Sequence, residues 1–334
     1  MKLMKYLQVF TLLVLAALAV PAEALAGSVT LKVATITPDG TFLVNAMREA
    51  SDEVKTKTQG RVKFRVYPGG VMGNDTVALR KMRSGQIHGT TLTAHGVSSV
   101  SHDFQIMGLP LLFENYEQID AVTPQIEPVL VKKLEQKGYI SFGILEVGLV
   151  YMMSNKAVKG PADLKGNKIW IPEGDEISKV VFDTMGIPAV SLPVTDVLTG
   201  LQTGLIDTLG SPPVATLILQ WFTKIKYLTV QPLLYSYGTF VFSKRAWSKM
   251  SPEDQKVVSD VLKKRFTEAN AQTRKDHAAA LETLRKKGIK FVPLDKGAMK
   301  EMKKIANKAI SRLMDSGRFD KNLLEKLRGI MKGN

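Results

Sequence analysis

The 334-residue chain contains no cysteine. That absence excludes structural disulfides, thiol nucleophiles and thiolate metal sites, and it excludes lipid attachment at an N-terminal cysteine. Histidine is scarce, with four in all. His88, His95 and His102 recur every seven residues, which invites a metal reading. His88 falls in an expected strand and His102 in a following loop, so one helical face cannot gather them. No His-Glu-x-x-His and no carboxylate-rich loop accompanies them. No metal and no cofactor is therefore expected. A Gly-x-Ser-x-Gly elbow and a glycine phosphate loop are also missing, and the chain is read as non-enzymatic.

Acidic residues are short, 31 against 46 Lys and Arg, for a net charge of +15. From Lys244 onward the imbalance is 24 to 11. A basic surplus can mark nucleic-acid binding, but no RNP, zinc-finger or helix-turn-helix signature accompanies it. The lysines lie on segments of helical periodicity, where they form solvated faces, so no nucleic-acid partner is expected. Attraction to an anionic membrane surface or partner is the other reading of the charge.

One long apolar run is present, Leu7 to Val20, behind Lys2 and Lys5. At roughly 14 residues it falls short of the ~20 that span a bilayer. Pro21 ends it, and Ala22-Glu23-Ala24 and Ala24-Leu25-Ala26 follow. This is the pattern of a secretory signal peptide, residues 1–26, cleaved near Ala26. The mature protein is expected in the periplasm, free of a lipid anchor, as a monomer. Residues 27–334 suit roughly two domains.

Thr30–Thr35, Val62–Tyr67 and Ile87–Thr93 read as strands, separated by helices over Thr41–Thr58 and Asp75–Ser84. That alternation predicts a parallel sheet wrapped by helices. Tyr139–Met153 is extended for longer than one lobe needs. Short strands at Lys168–Ile171 and Leu205–Leu209, with helices at Glu176–Met185 and Val194–Thr203, predict a second α/β lobe. Tyr235–Phe242 would be a second crossing strand. Ser251-Pro252-Glu253-Asp254 caps a helix that runs to about Lys287, with proline at its first position. At 1.5 Å per residue this helix is about 54 Å long, so it must lie across both lobes.

Four segments, in order, resemble one known family. They are Tyr67-Pro68-Gly69-Gly70-Val71-Met72-Gly73, Gly108-Leu109-Pro110-Leu111-Leu112-Phe113, Asp163-Leu164-Lys165-Gly166-Asn167-Lys168-Ile169 and Leu201-Gln202-Thr203-Gly204-Leu205-Ile206-Asp207. The chain resembles the solute receptors of tripartite ATP-independent periplasmic (TRAP) transporters, of the dicarboxylate-receptor type. The resemblance implies a two-lobed periplasmic-binding-protein fold, type II-like, with hinge strands and a long helix spanning both lobes. It also implies a small-molecule ligand and a pair of membrane subunits driven by an ion gradient. Lobe I would take residues 27–150 plus about 237–262, and lobe II 151–236 plus about 263–334.

The chain departs from the family where the ligand is held. The family's Lys-Ile-Arg-Val-Pro reads Lys168-Ile169-Trp170-Ile171-Pro172, with tryptophan in place of the arginine that grips a carboxylate. A second arginine is replaced in Gly148-Leu149-Val150, and Gln-Glu-Asn-Pro has become Leu209-Gly210-Ser211-Pro212. Burying a carboxylate without a matched cation costs several kcal/mol. A cleft lined by Trp170, Val150, Ser211 and Pro172, with Thr93 and Ile36 from the first lobe, is expected to favour a neutral, aromatic or hydrophobic ligand. The alternative is an organic acid met by another cation, Lys168 or His95, with Trp170 packed in the core. A ligand-presenting sensor or lipid carrier without a TRAP permease stays open. Met152-Met153 suits core packing or an adaptable apolar wall. Tyr151 and Tyr237 are read as cleft-mouth or structural residues.

Overall fold

The structure, a computed structural model, describes residues 28–332; the expected signal peptide lies outside them. The chain opens with β1 (Val29–Ala34), α1 (Phe42–Lys57), β2 (Val62–Tyr67), α2 (Asp75–Ser84) and β3 (Gly89–Thr93). Helix α1 buries Val44, Met47, Ala50 and Val54 on one face, a 3–4 spacing that matches its turn. Asn74 caps α2 by accepting from the Val77 amide at 3.0 Å. After α3 (Ala94–Val97) comes α4 (Tyr116–Gln136), which sequence reasoning passes over because Pro124 and Pro128 lie inside it. Its buried Ile119, Val122, Ile126, Leu130 and Leu134 keep helical spacing through both prolines.

The crossing strand β4 (Tyr139–Ser154) leads to β5 (Ile169–Pro172), α5 (Glu176–Met185), β6 (Ala189–Leu192) and α6 (Val197–Thr203). Then follow β7 (Thr208–Ser211), α7 (Pro213–Ile218) and the second crossing strand, β8 (Tyr227–Ser243). The C-terminal part comprises α8 (Lys244–Trp247), α9 (Pro252–Lys286), β9 (Lys290–Val292), α10 (Ala298–Asp315) and α11 (Lys321–Lys332).

Several boundaries differ from the sequence reading. The strand expected at Leu205–Leu209 is Thr208–Ser211, because Gly204 ends α6 in the left-handed region (φ 70°) and the next three residues connect to the sheet without joining a strand. The strand expected from Ile87 starts at Gly89. The second crossing strand starts at Tyr227, since its first half also pairs with β4 and, on its other edge, with β9.

Among the described residues, nine strands form one sheet, ordered β2-β1-β3-β8-β4-β7-β5-β6, with β9 on β8. Strands β4 and β8 pair antiparallel from Tyr139↔Ser243 to Ser154↔Tyr227, with register shifts spread along the pairing from Ser141 to Met153. One end of this ribbon carries β3, β1 and β2; the other carries β7, β5 and β6. The fold is therefore two α/β lobes sharing two long strands. Helix α9 has 35 residues, about 52 Å at 1.5 Å each. Val258, Val261, Leu262 and Phe266 join the core beside β1 and α1, while Leu284, farther along, joins the largest core cluster. Arg274 on the same helix pairs with Glu146 of β4 and Asp120 of α4.

The lobes also touch directly. Asn74 Nδ2 donates to Glu173 Oε2 at 3.0 Å and Thr76 Oγ1 to Glu173 Oε1 at 3.3 Å. The Gly174 carbonyl accepts from Gln105 Nε2 (3.0 Å) and Ser98 Oγ (3.2 Å). Gly174 has φ +80°, and a Cβ there would stand 3.0 Å from the His95 carbonyl oxygen, so this close approach requires glycine.

Candidate functional site

A cavity of about 720 Å³ opens where the two ends of the sheet face each other. Its walls come from the turn before α1, the end of β3, the middles of β4 and β8, and the loop joining β5 to α5. Helices α5, α7, α9 and α10 add to them. All six residues singled out from the sequence, Ile36, Thr93, Val150, Trp170, Pro172 and Ser211, lie in this lining.

Trp170 is 5% exposed. Its Nε1 donates to the Leu192 carbonyl of β6 at 3.0 Å, and its ring meets Trp221 edge-on at 5.3 Å. The indole thus has its polar atom satisfied and presents only carbon to the cavity. Val150 faces the side of the sheet where Gly210 leaves room for it; a Cβ on Gly210 would be 3.1 Å from its Cγ1. Ser211 Oγ accepts from Thr216 Oγ1 (2.8 Å) and donates to the Pro212 carbonyl (3.1 Å). Its one proton is therefore used inside the protein.

Thr93 is similarly occupied. Its hydroxyl accepts from the Gly96 amide (3.0 Å), capping α3, and donates to Asp75 Oδ2 at 2.6 Å. The Thr93 amide donates to the same oxygen at 3.2 Å. Burial pushes the Asp75 carboxyl up to about 6; the two Thr93 bonds and nearby His95 pull it back down, while Glu173 raises it. Its second oxygen, Oδ1, is buried without a hydrogen-bond partner.

The charge of the wall runs against that of the chain. Among the described residues, no lysine or arginine lines the cavity. Four carboxylates do: Asp39, Glu146, Asp175 and Asp276. Asp39 is met by Arg48 Nη2 at 2.8 Å and Glu146 by Arg274 Nε at 2.7 Å. Asp276 accepts from Gln272 at 2.8 Å, and Asp175 accepts from the Ser178 amide at 2.9 Å while capping α5. The one basic-type side chain in the described wall is His95. Its Nδ1 lies 3.6 Å from Asp175 Oδ1 and is buried without a hydrogen bond.

Lys168, the other cation considered from the sequence, is not in the wall. It precedes β5, is exposed, and donates through Nζ to the Gly204 carbonyl at 2.7 Å, at the C-terminal end of α6 where carbonyls attract a cation. Tyr151 and Tyr237 do not line the cavity either. Tyr237 is buried, with its hydroxyl donating to the Phe104 carbonyl and accepting from the Met107 amide (3.2 Å). Tyr151 Oη lies 3.4 Å from His277 Nε2, and Tyr116 Oη 3.4 Å from Nδ1 of the same ring. Met152 lines the cavity; Met153 is core, its sulfur 3.4 Å from Thr216 Oγ1.

Sequence reasoning missed the contribution of α9, where Ala269, Asn270, Thr273 and Asp276 face the cavity. Their spacing of one, three and three forms a small and polar stripe on a helix otherwise rich in Lys and Glu, and that stripe was a legible signal. It also missed Ile177, Phe182 and Met185 of α5, and Met302 and Ile305 of α10.

Two α/β lobes joined by shared strands, with a cavity of about 720 Å³ lined from both, have the architecture of a solute-binding protein. The profile of the bacterial extracellular solute-binding proteins, family 7, matches residues 33–316, and the chain belongs to that family. The C4-dicarboxylate-binding periplasmic protein DctP of Rhodobacter capsulatus is 23% identical over 275 residues, 81% of this chain and 82% of that protein. A TRAP periplasmic solute-binding protein from Ochrobactrum anthropi, solved with its C-terminus bound in the ligand pocket, superimposes with a TM-score of 0.79. It is 25% identical and the match covers 92% of this chain and 96% of that one. The sugar acid binding protein of Advenella mimigardefordensis, solved with galactonate, has a TM-score of 0.85 at 20% identity, covering 92% and 99% of the two chains.

Proposed function

We propose that this protein is the periplasmic receptor of a TRAP transport system, and that its ligand is an uncharged, largely apolar organic molecule, aromatic or hydrophobic. Lobe I takes residues 27–150 plus about 237–262, lobe II takes 151–236 plus about 263–334, and the ligand enters between them. Closure about β4 and β8 removes the ligand from water, and the closed, monomeric form docks on the membrane subunits. Trp170, Val150, Pro172 and Ile36 supply apolar contact; Ser211 and Thr93 supply shape, their hydroxyl protons being already committed.

The observation that carries this reading is a described cavity wall with four carboxylates and no lysine or arginine, in a chain of net charge +15. An anion buried there loses its water and gains no matched cation, at a cost of several kcal/mol. The test is a matched pair, benzyl alcohol against benzoate, measured by calorimetric titration, together with mass spectrometry of whatever co-purifies. We expect the alcohol to bind at least ~100-fold more tightly, the equivalent of about 2.7 kcal/mol. A co-purifying sugar acid or dicarboxylate, or benzoate binding as well as the alcohol, refutes it.

A second reading, an organic acid held by His95, draws on the unpartnered Nδ1 in the cavity wall and on the galactonate bound by the Advenella protein. In that case His95→Ala would abolish acid binding and leave alcohol binding intact.

A further inference from the structure

We propose that the cavity has a second compartment inside lobe II, beneath α5 and α10, which receives the hydrocarbon tail of an amphipathic ligand. This inference rests on the uncharged-ligand reading above and specifies its ligand class. The cavity does not stop at the facing edges of the lobes. Its lining continues through Met152, Leu164, Phe182, Met185, Met302 and Ile305, side chains drawn from β4, the turn before β5, and the two covering helices. None of these carries a polar group that could recognise a ligand by hydrogen bonding. A hydroxyl that also borders the cavity, Thr229 Oγ1, is spent on the Val158 carbonyl at 2.6 Å.

The two faces of the lobe II sheet are filled differently. On one face Trp170, Leu209 and Trp221 belong to the large continuous core. On the other a separate, smaller cluster of seven buried residues, including Ile169, Ile171 and Phe182, packs with the partly buried Met185, Ala189 and Leu233. Helix α10 turns Ala309, Ile310 and Leu313 into tight burial, yet one and two turns earlier Met302, Ile305 and Ala306 border open cavity. Interiors are close-packed, so a carbon-lined space left beneath a helix is a place where ligand atoms complete the packing. Met152, Met185 and Met302 give the space unbranched, polarizable walls that adapt to a flexible chain. At about 720 Å³ the whole cavity falls in the upper part of the range of roughly 300–1,000 Å³ that encloses drug-sized ligands. The polar end of such a ligand stays at the cleft, near Ser236, Thr273 and His95, whose buried Nδ1 has no hydrogen bond.

The test is a series of 1-alkanols from butanol to dodecanol, competed against N-phenyl-1-naphthylamine on the full chain. We expect affinity to rise about fourfold per methylene, then level off where the compartment is full. Ala306→Trp, which occupies the compartment from α10, moves that plateau to shorter chains. Ile305→Phe, a smaller change at a half-buried position, does the same to a lesser degree and serves if the tryptophan variant fails to fold. Affinity that does not depend on chain length, no alkanol binding at any length, or a plateau unmoved in a folded variant overturns the compartment. Benzyl alcohol and benzoate separate this failure from that of the broader reading. Tight benzyl alcohol binding with a flat alkanol series refutes the tail compartment alone, whereas preference for benzoate refutes the uncharged ligand.

Discussion

Replacing Asp75 by asparagine perturbs the support of the cavity wall without touching the cavity itself. Asp75 is half-buried as a residue, but its carboxylate points inward: one oxygen holds Thr93 through two hydrogen bonds, and the other is buried and bare. Burial raises its carboxyl from 3.8 to about 6. The native state therefore binds the proton more tightly than the unfolded chain, and stability falls as pH rises from the unfolded value through the folded one. At 1.36 kcal/mol per unit, the full cost of ionising Asp75 in the native state is about 3 kcal/mol. Roughly 1.4 kcal/mol of it is incurred between pH 5 and pH 7.5. The asparagine of Asp75→Asn keeps an acceptor for both Thr93 bonds and has no charge. Its amide N–H atoms face the site of the bare oxygen, however, an orphaned donor that costs about 1–3 kcal/mol. That penalty is the same at every pH. The informative quantity is thus how the stability difference between variant and wild type changes with pH. We expect urea unfolding to show the variant gaining about 1.4 kcal/mol relative to wild type on going from pH 5 to pH 7.5. An unchanged difference would refute the assignment of a buried, strained carboxylate behind Thr93.

His277 carries the opposite sign. Burial between Tyr116 and Tyr151 holds its imidazole below the ordinary 6.5, so the unfolded chain takes the proton first and stability is lost as pH falls through 6.5. His277→Gln should flatten the fall in melting temperature between pH 7.5 and pH 5.5; an equally steep fall in the variant would remove His277 as its cause. Glu173→Ala removes two hydrogen bonds between the lobes, worth about 1 kcal/mol in this exposed setting and so a roughly fivefold shift toward the open form. Small-angle scattering of the ligand-free protein should give a larger radius of gyration for the variant, and identical profiles would mean that these bonds do not hold the lobes together.

Much of this protein was legible in its residues. The alternation of strand and helix from Thr30 to Thr93, the capped start of α9 at Ser251 and its end near Lys287 follow from local propensity and periodicity, which depend on near neighbours. The four motif segments pointed to the family whose profile matches residues 33–316, and position 170 carries tryptophan where the resemblance leads one to expect arginine. Helix α4 was hidden because two prolines argue locally against a helix that tertiary burial of Ile119, Ile126 and Leu134 sustains. Periodicity says which residues share a face but not what that face meets. The cavity wall is drawn from segments as distant as Ile36 and Ile305, so only the folded chain shows that no lysine or arginine lines it among the described residues. Only the folded chain, likewise, spends the Ser211 and Thr93 protons inside the protein and leaves open space beneath α10. Composition and order along the chain thus determined the architecture and the residue types available to the site. The charge and the depth of the pocket were decided by long-range packing, because each depends on which surfaces come to face one another.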